Sequence, residues 1–243
     1  MRVGACQTQE IFGDVDAAVW VVSDFADRAE AMGVDLLLFP ECFLQGYLAT
    51  ERHVYGQAVE LGSPEFGEVL TRLAGIRQML VLGIIERSGR AFHNTAVVIA
   101  GGRMLGRYRK TFLTEGESVF TAGDAYPVFD CCGVRFGVNI CYDTRFPQAA
   151  AAVAAGGAQV LLVPAQNMMR REKAFWWQER HNQIRTERVR ETGMWLVSAD
   201  VTGQRDPARI GLGPTCVINP AGQVVARVPT GTTGIAVAEV NPP

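Results

Sequence analysis

Apolar residues follow two rhythms along this chain: short unbroken runs, and longer stretches with a helical repeat. Residues 2–7 open with an apolar run that predicts a strand. Over residues 15–32, Ala17, Ala18, Val21, Val22, Phe25, Ala26 and Ala29 recur at i, i+3, i+4 spacing, which predicts an amphipathic helix. Residues 35–39 predict a buried strand. Ser63 followed by Pro64 is an N-cap and first-turn signal, and predicts a helix of about four turns ending near Gln78. Strands follow over residues 80–86, 94–100 and 104–108, with Gly101-Gly102 turning the chain between the last two.

The second half repeats the theme: a strand over 134–140, a helix over 148–155 and a strand over 159–163. Residues 155–164 echo 31–40, each reading helix end, Gly turn, apolar strand and proline. Beyond them the pattern predicts one long helix over 171–192 and short strands over 194–199, 215–218, 224–227 and 235–240, with a Pro-Ala-Gly turn at 220–222. The runs 36–39 and 160–163 are apolar without alternation, so their sheets must be covered on both faces. A layered α/β sandwich follows, and no linker or low-complexity tract divides it, so residues 1–243 read as one domain.

Composition narrows the field. Apolar residues make up 48% and charged residues 20% of the chain, a balance that supports a sizeable core. A formal net charge of −2, with Lys and Arg interspersed among acids, argues against a nucleic-acid partner. Apolar stretches fall short of the roughly 20 residues that span a bilayer, and the N-terminus enters a strand pattern at once, so neither a membrane nor secretion is expected. Six cysteines without a CxxC pair suggest neither a zinc site nor a disulfide framework; they read as reduced thiols in a cytoplasmic protein.

Three positions carry candidate chemistry. Cys141 sits where the strand 134–140 gives way to a turn and a helix, a place that exposes a nucleophile beside free backbone N–H groups; it could equally be one of six small apolar fillers. Glu41 follows the fully apolar run ended by Pro40, where a carboxylate is costly unless it is paired or projects into a cleft. Lys110 follows a strand edge, where a cation also serves as a solvated guard against edge pairing. Their chemistry is complementary: a thiol with a pKa near 8.5 needs a base or a nearby cation, and Glu41 and Lys110 could supply them. The tetrahedral intermediate of acyl transfer needs donors, which the Lys110 ammonium and the Tyr142 backbone N–H could provide.

With Phe39-Pro40-Glu41, Tyr108-Arg109-Lys110-Thr111 and Asn139-Ile140-Cys141-Tyr142-Asp143 in order, the chain resembles the nitrilase superfamily of carbon-nitrogen hydrolases. The likeness runs from Ala5-Cys6-Gln7-Thr8 to Pro220-Ala221-Gly222. It implies a four-layer α-β-β-α sandwich, pairing through a helical face into a homodimer, a covalent thioester on Cys141, and neither metal nor organic cofactor. It also implies a second, supporting glutamate: Glu117, before Phe120-Thr121-Ala122-Gly123, is the best match, and Glu115 is its rival. Tyr142-Asp143-Thr144-Arg145-Phe146-Pro147 after the cysteine is similar to the amidase and carbamoylase branches, whereas true nitrilases generally carry Trp-Glu there. A small amide or N-carbamoyl substrate is therefore expected, with nitrile hydrolysis by the same triad as the alternative.

Loops 41–47 and 166–169 are expected to line the pocket, with Tyr47 and Gln166 as candidate substrate contacts. A papain-like enzyme would need His53, His93 or His181 beside the cysteine. A catalytically silent interaction module, docking through Phe175, Trp176 and Trp177, would be expected to have lost a triad member, and none is missing.

Overall fold

The computed structural model describes residues 1–241. The chain runs β1 (Arg2–Gln9), α1 (Val15–Ala31), β2 (Leu36–Leu38), α2 (Glu51–Gln57), α3 (Pro64–Arg72), β3 (Met79–Ser88), β4 (Ala91–Ala100), β5 (Arg103–Arg109), β6 (Val128–Cys131), β7 (Val134–Val138), α4 (Pro147–Ala155), β8 (Val160–Pro164), β9 (Met168–Arg170), α5 (Arg171–Trp177), α6 (Arg180–Thr192), β10 (Trp195–Ala199), β11 (Val201–Asp206), β12 (Arg209–Leu212), β13 (Cys216–Ile218), β14 (Val224–Arg227) and β15 (Gly234–Glu239).

These strands form two sheets. The larger has the order β5-β4-β3-β2-β1-β11-β12-β9, with β15 also paired to β1; the smaller has the order β14-β13-β10-β8-β7-β6. Each contains a parallel triplet, β1-β2-β3 in one and β7-β8-β10 in the other. Val3, Leu36, Leu38, Val81 and Val98 of the larger sheet interleave with Phe136, Val138, Val160, Leu162 and Val197 of the smaller, so a dry core lies between them. On the outer face of the larger sheet, α1 and α3 bury Ala18, Val22, Phe25, Phe66 and Val69 against Leu37, Leu80 and Leu82. α4 and α6 cover the smaller sheet through Ala150, Val153 and Val189 on Leu161, Val163 and Leu196. The layers therefore stack α-β-β-α, as expected. Among the described residues no helix is long and apolar enough to cross a membrane.

Helix starts follow their caps. Asp14 accepts from the Ala17 N–H at 2.9 Å to begin α1, and Ser63 accepts from the Phe66 N–H at 3.3 Å to begin α3 with Pro64 in its first turn.

Helix ends were less legible. α3 stops at Arg72 instead of continuing to Gln78: Gly75 disfavours helix, and the Gln78 side chain donates to the Ala26 carbonyl at 3.3 Å, tying the chain down for β3. The expected single helix over 171–192 is two, α5 and α6. Arg180 lays its guanidinium 3.7 Å from the centre of the Trp176 ring and donates to the Trp176 carbonyl at 2.5 Å, capturing an oxygen that a continuous helix would have used itself.

The echo between residues 31–40 and 155–164 corresponds to β2 and β8, and the chain just beyond them meets across the sandwich, where the Glu41 N–H donates to the Ala165 carbonyl at 3.3 Å.

Candidate active site

In open α/β sheets, ligands bind beyond the carboxyl ends of parallel strands, and here those ends hold the candidate chemistry. β2 delivers Glu41, β7 delivers Cys141, β8 delivers Gln166 and Asn167, and β10 delivers Asp200. Lys110 follows β5. Glu41, Lys110, Cys141, Gln166 and Asn167 all reach one cavity of about 630 Å³, a size suited to a small molecule.

Two glycines let the loops approach. A β-carbon at Gly83 of β3 would lie 2.2 Å from the Pro40 carbonyl oxygen and 2.5 Å from the Cys42 nitrogen, so only glycine lets the Glu41 loop fold onto the strand. Gly123 donates its N–H to the Lys110 carbonyl at 2.8 Å, and a β-carbon there would lie 2.5 Å from the Arg109 carbonyl oxygen. Two non-glycine residues with positive φ flank the cavity, Cys42 at 48° beside Glu41 and Cys141 itself at 44°. Such backbone costs about 1–3 kcal/mol per residue and persists where surrounding structure imposes it.

Lys110 is the centre of a buried ion cluster. Its Nζ donates to Glu41 Oε1 and to Glu117 Oε1, both at 2.8 Å. Asn94 on β4 donates its Nδ2 to the same two oxygens, at 2.7 Å to Glu41 and 3.2 Å to Glu117. All four side chains are at most 2% exposed, so removing one partner would strand a buried charge at a cost of about 3–5 kcal/mol. Burial works against the Lys110 charge, but Glu41 and Glu117 outweigh it and hold the ammonium well above its ordinary pKa.

The two carboxylates differ although Lys110 is equidistant from them. Burial, reinforced by the negative charge of Glu117, pushes Glu41 up to about 6. Burial pushes Glu117 the same way, but Lys110, the Thr114 N–H at 2.8 Å and Asn94 together prevail and keep it below its ordinary value. Of the pair, Glu41 is the one that takes a proton first.

Cys141 begins a 3-10 turn, Cys141–Arg145. Tyr142 is the second residue of that turn, so its N–H belongs to the orphan donors of a helix start and is available to an oxyanion. Burial, then the negative charge of Glu41, holds the thiol well above its ordinary pKa despite the lowering influence of Lys110. The thiol is therefore protonated at rest, and Lys110, already shared by two carboxylates, does not create a standing thiolate; a base must remove the proton during reaction.

Buried Asp143 fixes this turn. It accepts from the Ile140 N–H at 2.8 Å, the Phe112 N–H at 2.8 Å, the Tyr108 hydroxyl at 2.7 Å and the Thr111 hydroxyl at 3.1 Å, tying the Cys141 turn to the segment just after Lys110. Arg188 of α6 adds a contact from the helical layer, donating to the Thr144 carbonyl at 3.4 Å.

The structure thus brings Glu41, Lys110, Glu117 and Cys141 into one neighbourhood, and Tyr47, Tyr142 and Gln166 line the cavity with Glu41, Lys110 and Cys141. Glu115 is exposed, so Glu117 is the glutamate that meets Lys110. Gln166 donates its side-chain amide to Glu10. Among the described residues no histidine hydrogen-bonds the Cys141 thiol: His53 meets the Gly46 carbonyl at 2.7 Å and His93 the Thr121 carbonyl at 2.8 Å. His181 lines the cavity stacked on Trp177, with burial and Arg185 pressing its pKa down to about 3.

Asn167 lines the cavity as part of the loop 166–169 expected there, whereas sequence reasoning missed Asn94 and Asp200 and gave Asp143 no structural part. The polar triplet His93-Asn94-Thr95 inside an apolar strand, and an aspartate straight after the run 196–199, were the signals available.

Comparison with known proteins places the chain in a family. The chain is 30% identical over 169 residues to nitrilase 3 of Arabidopsis thaliana, covering 60% of this chain and 49% of that one. It is 35% identical over 121 residues to an (R)-stereoselective amidase of Pseudomonas sp, covering 48% and 42%. The aligned parts thus span about half the length of these relatives. Among solved structures, an amidase from Nesterenkonia sp. AN1, in a variant with acrylamide added at the active site cysteine, superposes with a TM-score of 0.82 at 25% identity, covering 99% of this chain and 93% of that one. The carbon-nitrogen hydrolase family model matches residues 2–243, and the chain belongs to that family, within the nitrilase superfamily.

Proposed function

We propose that this protein hydrolyses a small amide or N-carbamoyl compound through a thioester on Cys141. The observation that carries the reading is one cavity shared by the Cys141 thiol, a carboxylate whose pKa burial pushes up to about 6, and a buried ammonium bonded to that carboxylate at 2.8 Å.

Glu41 takes the thiol proton as sulfur attacks the carbonyl carbon. Its raised pKa suits it to do so near neutral pH and to return the proton to the leaving nitrogen. The developing oxyanion meets the Lys110 ammonium and the Tyr142 N–H. Ammonia or an amine leaves, and Glu41, ionised again, activates the water that cleaves the thioester. Glu117 touches neither thiol nor substrate in this scheme; it keeps Lys110 charged and placed.

The amide preference is supported by the Tyr142-Asp143 pair after the nucleophile and by the amidase likeness. Six unpaired cysteines favour a reducing, cytoplasmic setting, and exposed Phe175 and Trp176 on α5 favour a homodimer through the helical layer. The test is ammonia release from a panel of amides, carbamoyl compounds and nitriles with matched carbon skeletons. Amides or carbamoyl compounds should show the larger kcat/KM; larger values for nitriles throughout would assign the nitrile reaction instead.

A further inference from the structure

One polar atom of the cavity wall meets the resting thiol but has no partner in the acyl transfer once that thiol has given up its proton: the side-chain oxygen of Asn167. Asn167 is 5% exposed and Asp200 fully buried, and the two are locked together. Asp200 accepts the Asn167 backbone N–H on Oδ1 at 2.9 Å and its Nδ2 on Oδ2 at 2.5 Å. A carboxylate only accepts, so the side of the Asn167 amide facing Asp200 must be its NH2, and Oδ1 must face away. Asp200 is itself held by the Val201 N–H at 2.8 Å and by Arg185, whose guanidinium lies 3.8 Å away. Oδ1 so oriented points at the nucleophile and accepts from the Cys141 thiol at 4.0 Å, a bond that ends when the proton leaves sulfur. This is an acceptor with a fixed direction at the place where the reacting group must sit.

We infer that Asn167 Oδ1 accepts an N–H of the scissile amide, and that the Asp200–Asn167 pair makes the site a reader of amide nitrogen; this rests on the amide reading above. The lengths are compatible. A carbonyl carbon poised about 3–3.5 Å from sulfur carries its nitrogen about 1.33 Å away, and an N–H···O bond spans about 2.9 Å, which together bridge the 4.0 Å gap.

The chemistry balances for a primary amide. The Sγ–C bond forms as the S–H proton passes to Glu41. One N–H stays on Asn167 while the nitrogen, its lone pair released from conjugation, takes that proton. The C–N bond breaks, and ammonia leaves with its own two hydrogens and the one from the thiol. A nitrile nitrogen and an ester oxygen bring no hydrogen, so either would leave a buried acceptor unpaired. Sites built to bond a donor reject analogues that lack it.

The experiment compares kcat/KM for the best primary amide of the panel with that for the p-nitrophenyl ester of the same acid, in wild type, Asn167→Ala and Asp200→Asn. Both substrates give the same acyl-enzyme, so their ratio isolates recognition of the leaving group. The amide-to-ester ratio should fall about tenfold to a hundredfold in Asn167→Ala, the range for an unmet buried hydrogen bond. It should fall in the same direction in Asp200→Asn, whose own NH2 lets the Asn167 amide turn over. If Asn167→Ala does not fold, Asn167→Ser reads the same ratio. Equal losses on amide and ester, or no loss on either, would overturn the inference while sparing the thioester mechanism. A wild type that releases no ammonia from any amide would overturn the proposed function and this inference together.

Discussion

The larger sheet's side of the cavity presents Glu41, Lys110, Glu117 and Asn94 as a closed set of buried, charge-assisted hydrogen bonds. The smaller sheet's side presents an uncharged thiol, placed by a positive φ, by Asp143 and by the neighbouring Asn167. One side stores charge and moves a proton; the other holds a nucleophile in position. The division explains why the acid-base residue and the nucleophile come from different sheets. A carboxylate hydrogen-bonded to the thiol's own turn would be committed to structure, as Asp143 is, whereas Glu41 lines the same cavity as the thiol and keeps a pKa within reach of neutrality.

The comparison can be broken from either side. Removing the nucleophile has the largest effect: Cys141→Ala should abolish turnover with the fold intact, while Ala at Cys6 or Cys216 should not, as steady-state assays and thermal melts would show. Glu41→Gln comes next. It deletes the base but keeps the shape, and should cost about 10² to 10⁴ in the acylation rate, measured by stopped-flow; retained activity would send the search for a base elsewhere.

Asp143→Asn tests the positional side. The Ile140 and Phe112 N–H groups would compete for a single amide oxygen, so kcat should fall about tenfold or more through misplacement of Cys141. The acidic limb of the pH profile, set by Glu41, should stay where it is, and a moved limb would mean that position and charge are not separate.

The smallest expected effect is a shift of that limb. Acylation needs ionised Glu41, so kcat/KM should rise with pH through about 6 in the wild type. In Glu117→Gln the neighbouring negative charge is gone, the pKa of Glu41 falls, and the limb should move to lower pH. Movement to higher pH would contradict the assigned sharing of the Lys110 ammonium.

Each side was legible in part in the sequence. A carboxylate after an apolar run, a lysine at a strand end and a cysteine at a strand-to-helix turn are each weak signals alone; Glu41, Lys110 and Cys141 stand out because their chemistry is complementary and their motifs fall in order. Asn94 was hidden because a single amide in a strand reads as a tolerated polar residue until the strand's facing partners are known. Asp143 and Asp200 were hidden for a similar reason: their partners are backbone N–H groups and side chains from distant segments, and spacing along the chain does not encode them. The layered fold followed from unbroken apolar runs, whereas the break between α5 and α6 depends on an Arg180 contact that periodicity does not register.

The central claim, a thioester on Cys141 formed with the help of Glu41, is tested most directly by trapping the acyl-enzyme. Enzyme mixed with a good amide and quenched in acid within the first turnover should show, by mass spectrometry, the acyl increment on the peptide that contains Cys141, with markedly less in Glu41→Gln at the same time point. An increment on Cys42 or any other residue, or turnover without any acyl-enzyme under conditions where acylation is the faster step, would contradict it.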